Sequence, residues 1–194
     1  MDANRPKDEK FFVENGVYFH IQTPAPYKPA KWEIDQVHFI GNRKNPFVEF
    51  YDSNGFVIRE ETVENYRGVL DEYLKLTREW IFEEVRKEFF PNLPSRHRCI
   101  WVIPDNKDAI QYWWKTMGEK GQILKLELTG KIYRTNQQYL KRITAPLDQI
   151  RMNAFRYWAG ASGDNPAEDE YLFEGFAKVL DIYDYDRLVT ELGA

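Results

Sequence analysis

The chain has 194 residues, with 27 Lys and Arg against 31 Asp and Glu and 43% of residues in the apolar class, a length and balance that favour one compact domain burying roughly 70% of its unfolded surface. A formal net charge of −4 excludes a whole-chain basic footprint for sequence-independent nucleic-acid binding. The single cysteine, Cys99, excludes an internal disulfide and a multi-thiolate zinc site, and the short apolar runs with no signal-peptide core predict a soluble cytoplasmic protein with no membrane partner.

In chain order, Met1 to Lys10 are polar and predict a disordered segment, with a single domain over 11–194. Val17-Tyr18-Phe19-His20-Ile21-Gln22 is rich in β-branched and aromatic residues and is stopped by a proline-rich stretch, so it predicts a strand and then an extended loop. Trp32 to Ile40 predicts a second strand, and Gly41 to Pro46 a turn before the aromatic run Phe47 to Tyr51. Apolar residues spaced by three and four (Val69, Tyr73, Leu76, Trp80, Ile81, Val85) predict a helix over Glu60 to Phe90. Its charges Glu83, Glu84, Arg86, Lys87 and Glu88 read as a solvated face.

Arg98 to Ile103 predicts a compact apolar strand, in which Cys99 behaves as a small buried hydrophobe. A helix follows from Lys107 to Met117, and the period-two run Ile123 to Leu128 predicts a half-exposed strand. Pro146 to Trp158 predicts a helix with proline in its first turn, and Ser162 to Asp169 a loop. Glu170 to Tyr183 predicts two short strands or one strand bent at Gly175. Strands at both ends flanking long helices, without regular alternation, give an α+β class.

Aromatic residues reach 16%, with 6 Trp, 12 Tyr and 13 Phe, enough both for a core and for surfaces that stack on a ring-bearing ligand. No Gly-rich dinucleotide fingerprint, P-loop or zincin motif occurs, and His20, His38 and His97 follow no metal-ligand spacing, so no metal is expected.

Three segments taken in order resemble the signature elements of the ADP-ribosyltransferase superfamily, in the branch of diphtheria toxin and the poly-ADP-ribose polymerases. The strand Tyr18 to Gln22 is similar to the family's early strand carrying a histidine. Cys99 to Asp105 followed by Asp108 to Trp113 resembles its aromatic strand, turn and helix. Asp169 to Val179 looks like its late strand, whose glutamate is catalytic in the polymerases. The pattern is also similar to a bacterial and phage family of uncharacterised small proteins.

The resemblance implies a split β-sheet core flanked by helices and a mono-ADP-ribosyltransferase that uses NAD as substrate, with a protein acceptor favoured over a nucleic acid. It implies Glu170 as the catalytic carboxylate, with Glu174 as its competitor in the strand register. His20 would donate to the adenosine ribose, the Ile21 backbone would hold the nicotinamide amide, and Gln22 would hydrogen-bond the cofactor. Trp101 and Tyr112 would wall the nicotinamide ring. Arg96 and Arg98 read as surface charges or, in the segment Ser95 to Arg98, as contacts to the pyrophosphate, with Arg98 carried as the cofactor-binding residue.

The chain departs from the polymerases at Ile21, where they have glycine, at Trp101, where they have tyrosine, and at Ala109, where they have serine. A loop over Ala161 to Asp169 would serve acceptor recognition. The alternative from another class is a non-catalytic interaction or inhibitor protein on the same fold, its aromatic surplus forming a binding surface. A single-stranded nucleic-acid binder with Trp and Tyr as stacking platforms is a third reading. An RNA 2′-phosphotransferase is disfavoured by the lack of a basic cluster.

Overall fold

The computed structural model describes residues 11–24, 30–53, 61–141 and 144–193. Along the chain run β1 (Phe12–Gln22), β2 (Val37–Ile40), α1 (Pro46–Ser53), α2 (Val63–Phe89), β3 (Ile100–Pro104), α3 (Lys107–Thr116), β4 (Gln122–Asn136), α4 (Leu147–Trp158), β5 (Asp169–Tyr183) and α5 (Tyr185–Gly193). The protein is α+β, a five-stranded antiparallel sheet with helices. The disordered segment expected over Met1 to Lys10 lies outside the described residues.

The strands close on themselves. β1 pairs with β3 on one edge and β4 on the other, β3 pairs with β5, and β5 pairs with β4 from Ile123↔Tyr183 to Asn136↔Asp169. β2 extends the β3 edge of β5, from Val37↔Lys178 to Ile40↔Gly175. β4 is 15 residues long, well past the expected Leu128, because β1 pairs with it on one side and β5 covers its whole length on the other. Where the two long strands cross most closely, Gly130 faces Gly175.

That closeness explains both glycines. A Cβ on Gly175, whose φ is +147°, would stand 2.5 Å from the Thr129 carbonyl oxygen, and one on Gly130 would stand 2.3 Å from that of Glu174. Of the two expected forms, two short strands or one strand bent at Gly175, β5 is a single strand, in regular register with β4 through Gly175 and with the register shift of the pair at Lys125/Leu126. Gly175→Ala is expected to cost about 1–3 kcal/mol from backbone conformation alone, read as a lower urea midpoint; an unchanged midpoint would contradict this close crossing.

Three apolar clusters hold the elements. Phe82 of α2, Tyr157 and Trp158 of α4 and Leu172 of β5 belong to the first. Phe19 packs with Ile110 and Trp113 of α3 and Leu188 of α5 in the second. The third draws its buried members from β3, β4 and β5 alone, including Leu124, Leu126 and Phe173.

A run that the sequence left unassigned gains an element here, and the expected faces of α2 change. The aromatic run after the 41–46 turn is a helix, α1, whose Asn45 accepts from the Val48 amide at 3.1 Å ahead of Pro46. The α2 charges are not all solvated. Glu84, Lys87 and Glu88 are exposed, whereas Glu83 and Arg86 are buried as an ion pair at 2.8 Å. Arg86 turns inward because its guanidinium also donates to the Pro91 and Leu93 carbonyls, each at 3.0 Å, which closes the chain reversal after the helix. Tyr73 and Trp80, part of the expected apolar stripe, are about half exposed.

Candidate functional site

The sheet splits between β1 and β3. Their ladder holds Tyr18↔Pro104 and Phe19↔Ile103, while β1 keeps its β4 partners to Gln22↔Gln122 and β3 keeps its β5 partners to Ile100↔Phe173. Beyond Phe19 the His20 ring replaces the ladder, with Nδ1 at 2.8 Å from the Trp101 carbonyl oxygen. A cleft of about 590 Å³ is lined by residues of the split, His20 to Thr23 and Ile100 to Ile103, a volume typical of small-molecule sites.

A carbonyl only accepts, so Nδ1 carries the proton, and the neutral ring presents Nε2 as an acceptor. Burial lowers the pKa of His20 against the opposing pull of the Trp101 carbonyl, which keeps the ring neutral. This corrects the expected donor role: His20 is suited to accept a hydrogen bond from a ligand hydroxyl.

At the cleft, four chain segments meet in one buried network. The segment before β3 is pinned by Asn45, whose side-chain amide donates to the Arg96 and Cys99 carbonyls at 2.8 and 3.0 Å, and by Glu174, which accepts from the Ser95 amide at 2.7 Å. That turn points Arg96 inward and leaves Arg98 exposed. The Arg96 guanidinium forks onto Glu79 of α2 at 2.7 and 3.3 Å and donates to Oε2 of Glu170 at 2.8 Å. It also donates to the Tyr157 hydroxyl, which passes its own proton to the same Glu170 oxygen at 2.7 Å.

Burial works against the charges of Arg96 and Glu79, and their partners outweigh it. For Arg96, the Glu79 and Glu170 carboxylates overcome desolvation and hold it protonated. Desolvation of Glu79 is more than offset by Arg96 and Arg78, which bring its pKa down to about 2. Burial, reinforced by Glu170, pushes the Tyr157 phenol up, so it stays a donor. Oε2 of Glu170 is therefore fully engaged, whereas Oε1 has no hydrogen bond among the described residues. A carboxylate held by one oxygen with the other unspent can stabilise positive charge beside it or bind a hydroxyl.

Of the expected site residues, His20, Ile21, Gln22, Trp101 and Glu170 line this one cleft. Gln22 is largely spent on structure, donating to the Ala30 carbonyl and accepting from Gln122, each at 2.8 Å. Trp101 lies under the Arg96 guanidinium, 5.4 Å from its ring centroid. Glu174, the competing carboxylate, anchors Ser95 and does not line the cleft.

Arg98 and Tyr112 are also absent from the lining. Arg98 is exposed because the turn that buries Arg96 rotates it outward. Tyr112 is turned toward Gln137, whose amide donates to its hydroxyl at 2.5 Å. The next residue on α3, Trp113, lines the cleft instead and donates to the Asp169 carbonyl at 3.1 Å, fixing the start of β5 beside Glu170.

Glu79, Tyr157 and Trp113 are contributors that the sequence did not place in the site, and Arg96, read from sequence as a surface charge or a pyrophosphate contact, is instead held by Glu79 and Glu170. The 161–169 loop is tied to the 137–141 turn by the Asp164 amide on Gln138 at 3.0 Å and by the Tyr139 hydroxyl on the Ser162 carbonyl at 2.9 Å. Among the described residues no cluster of three His, Cys, Asp or Glu could hold a metal, and no helix is long and apolar enough to cross a membrane.

A protein-family model matches residues 18–185, from the middle of β1 to the first residue of α5. The chain belongs to that family, described as protein of unknown function (DUF2441). The DUF2441 span contains every residue that lines the cleft. A search of curated proteins finds no match.

Cys99 is fully buried, and burial pushes its thiol well above the ordinary value. It is expected to resist a thiol reagent in the native state and to react once the chain is unfolded in denaturant. Rapid native labelling would show the 95–99 turn to be open.

Proposed function

We propose that the cleft takes NAD as substrate and that the protein transfers ADP-ribose to a macromolecular acceptor, a protein in preference to a nucleic acid. One observation carries the reading. His20 of β1, Trp101 of β3 and Glu170 of β5, separated by most of the chain, line a single cleft at a split in the sheet.

The chemistry follows from the bond that breaks. When the nicotinamide–ribose bond ionises, the bonding pair leaves with the nicotinamide and the ribose carbon becomes oxocarbenium-like, so a carboxylate beside it lowers the barrier. Glu170 supplies that carboxylate through Oε1. Glu79 shares the charge of Arg96, so Glu170 is less neutralised than in a one-to-one pair. Trp101 and Trp113 offer flat apolar surface for the ring, and Nε2 of His20 accepts from a ribose hydroxyl. The acceptor then attacks the ribose carbon and loses its proton.

Incubating the wild-type protein with labelled NAD, alone and with cell lysate, tests the reading. Nicotinamide release and label on a macromolecule are the expected results. NAD at ~100 times its dissociation constant should also add about 2.7 kcal/mol of stability.

A second reading has its own observation. Phe39 of β2 and Phe176 of β5, each about half exposed, pack at 4.9 Å between ring centroids, with exposed Val37 two residues before Phe39 on the same face of β2. That apolar face suits a non-catalytic interaction protein. No nicotinamide release together with unchanged melting in NAD would favour it.

A further inference from the structure

The charge on the cleft wall is opposite in sign to the charge of the chain. The protein carries a net −4, yet the cleft is lined by Lys75, Arg78, Arg96 and Lys141 against two carboxylates, Glu79 and Glu170. Arg96 is consumed by those carboxylates in the floor. Of the other three, Lys75 and Arg78 lie one turn apart on α2, and the Arg78 guanidinium donates to the Leu140 carbonyl at 2.6 Å, which holds the 137–141 turn, with Lys141, against that helix.

We infer that this wall of α2 and the 137–141 turn is a phosphate subsite, formed by Lys75, Arg78 and Lys141, so that the cleft's ligand joins a ring to one or more phosphates. The existing partners of these cations do not oppose such a role. Lys75 pairs with Glu72 at 2.7 Å and Lys141 with Glu168 at 2.5 Å, and neither glutamate lines the cleft. Both lysines are around half exposed, while Glu72 and Glu168 are 31% and 12% exposed, so each ammonium, with three N–H donors, keeps a solvent-facing side on which a phosphate adds to the existing pair. Arg78 donates to Leu140 and to Glu79 at 2.9 Å, and its Nε–H is buried without an acceptor among the described residues. Unspent donors on a guanidinium beside two ammonium groups match phosphate chemistry. The same cleft also carries flat apolar surface for a ring, with Trp32, Trp101 and Trp113 among its lining.

The inference rests on the NAD reading only for the identity of the ligand, and it replaces Arg98 as the expected phosphate contact. The subsite serves either the diphosphate of the cofactor or a phosphate on another substrate, and the two sources separate experimentally. The variant is Lys75→Gln/Lys141→Gln, at two exposed positions outside the core; Arg78 is left in place because it holds the turn.

Calorimetric titration of wild type and variant with ADP, adenosine and NAD reads the effect. Wild type is expected to bind ADP more tightly than adenosine. The variant should lose about tenfold or more in ADP affinity with adenosine unchanged, and added salt should weaken ADP binding in the wild type alone. A parallel loss for NAD assigns the phosphate to the cofactor, and a loss for ADP without one for NAD assigns it to a second substrate. Equal wild-type affinity for ADP and adenosine, or unchanged ADP affinity in the variant, overturns the subsite. Lysine-dependent ADP binding without NAD cleavage by the wild type would remove the transferase reading and leave the subsite standing.

Discussion

Glu170→Gln is expected to slow nicotinamide release from NAD by about a hundredfold or more, the scale on which losing one preorganised electrostatic group at a developing charge is felt. Glutamine keeps the shape of the side chain, and its carbonyl oxygen still accepts from Arg96 and Tyr157 in place of Oε2. What disappears is the negative charge on Oε1, which the proposed mechanism sets beside the ribose. The rate should therefore fall while NAD binding, read by the shift in melting temperature, changes little. Glu174→Gln is the matched control: Glu174 accepts from the Ser95 amide outside the cleft lining, so the chemistry should persist. Unchanged nicotinamide release by Glu170→Gln, or a fall confined to Glu174→Gln, would remove Glu170 from the mechanism.

How much of this was legible depends on whether the deciding partner is local. β1, β3 and β5 carry β-branched and aromatic runs bounded by proline and glycine, and these signals survive without knowledge of the neighbours. The far half of β4 holds Gly130, Lys131 and Arg134, which disguise a strand until β5 is laid beside it. α1 hides inside an aromatic run with little polar contrast, although the Asn45-Pro46 pair is a helix-start signal that a closer reading would use.

His20, Trp101 and Glu170, which line one cleft, are legible as candidates because each sits in its own strand motif. Arg96 reads from sequence as a surface charge or a pyrophosphate contact, because the carboxylates that bury it, Glu79 and Glu170, converge on it from 17 and 74 residues away. Choosing Tyr112 over Trp113 is an error of one residue, about 100° of helix rotation. Only the packing of α3 against the start of β5 fixes that angle.

Arg96→Met is expected to be the most destabilising single change in the protein. The thioether fills the space but removes the guanidinium that serves two buried carboxylates, Glu79 at 1% and Glu170 at 7% exposure. Removing one partner of a buried ion pair costs roughly 3–5 kcal/mol, or about 6–20 °C of melting temperature in a chain of this size. The pH dependence distinguishes this mechanism from simple loss of packing. The folded pKa of Glu79 is about 2, below its ordinary 4.5, so the folded protein binds fewer protons than the unfolded chain between those values. Its contribution, roughly 3 kcal/mol, is complete above about pH 5 and is lost as pH falls toward 2. Arg96 is the first opposing charge that holds the value down, ahead of Arg78, so the stability gap between wild type and Arg96→Met should narrow from pH 7 to pH 3 in urea unfolding. An equal gap at both pH values would mean that Arg96 acts through volume alone. Arg96→Lys refines the test: it restores the charge without the fork that reaches Glu79 and Glu170 together, so it should recover part of the stability at pH 7 and keep the acid dependence, while Glu170, with a single ammonium in place of the fork, is positioned less firmly than in the wild type.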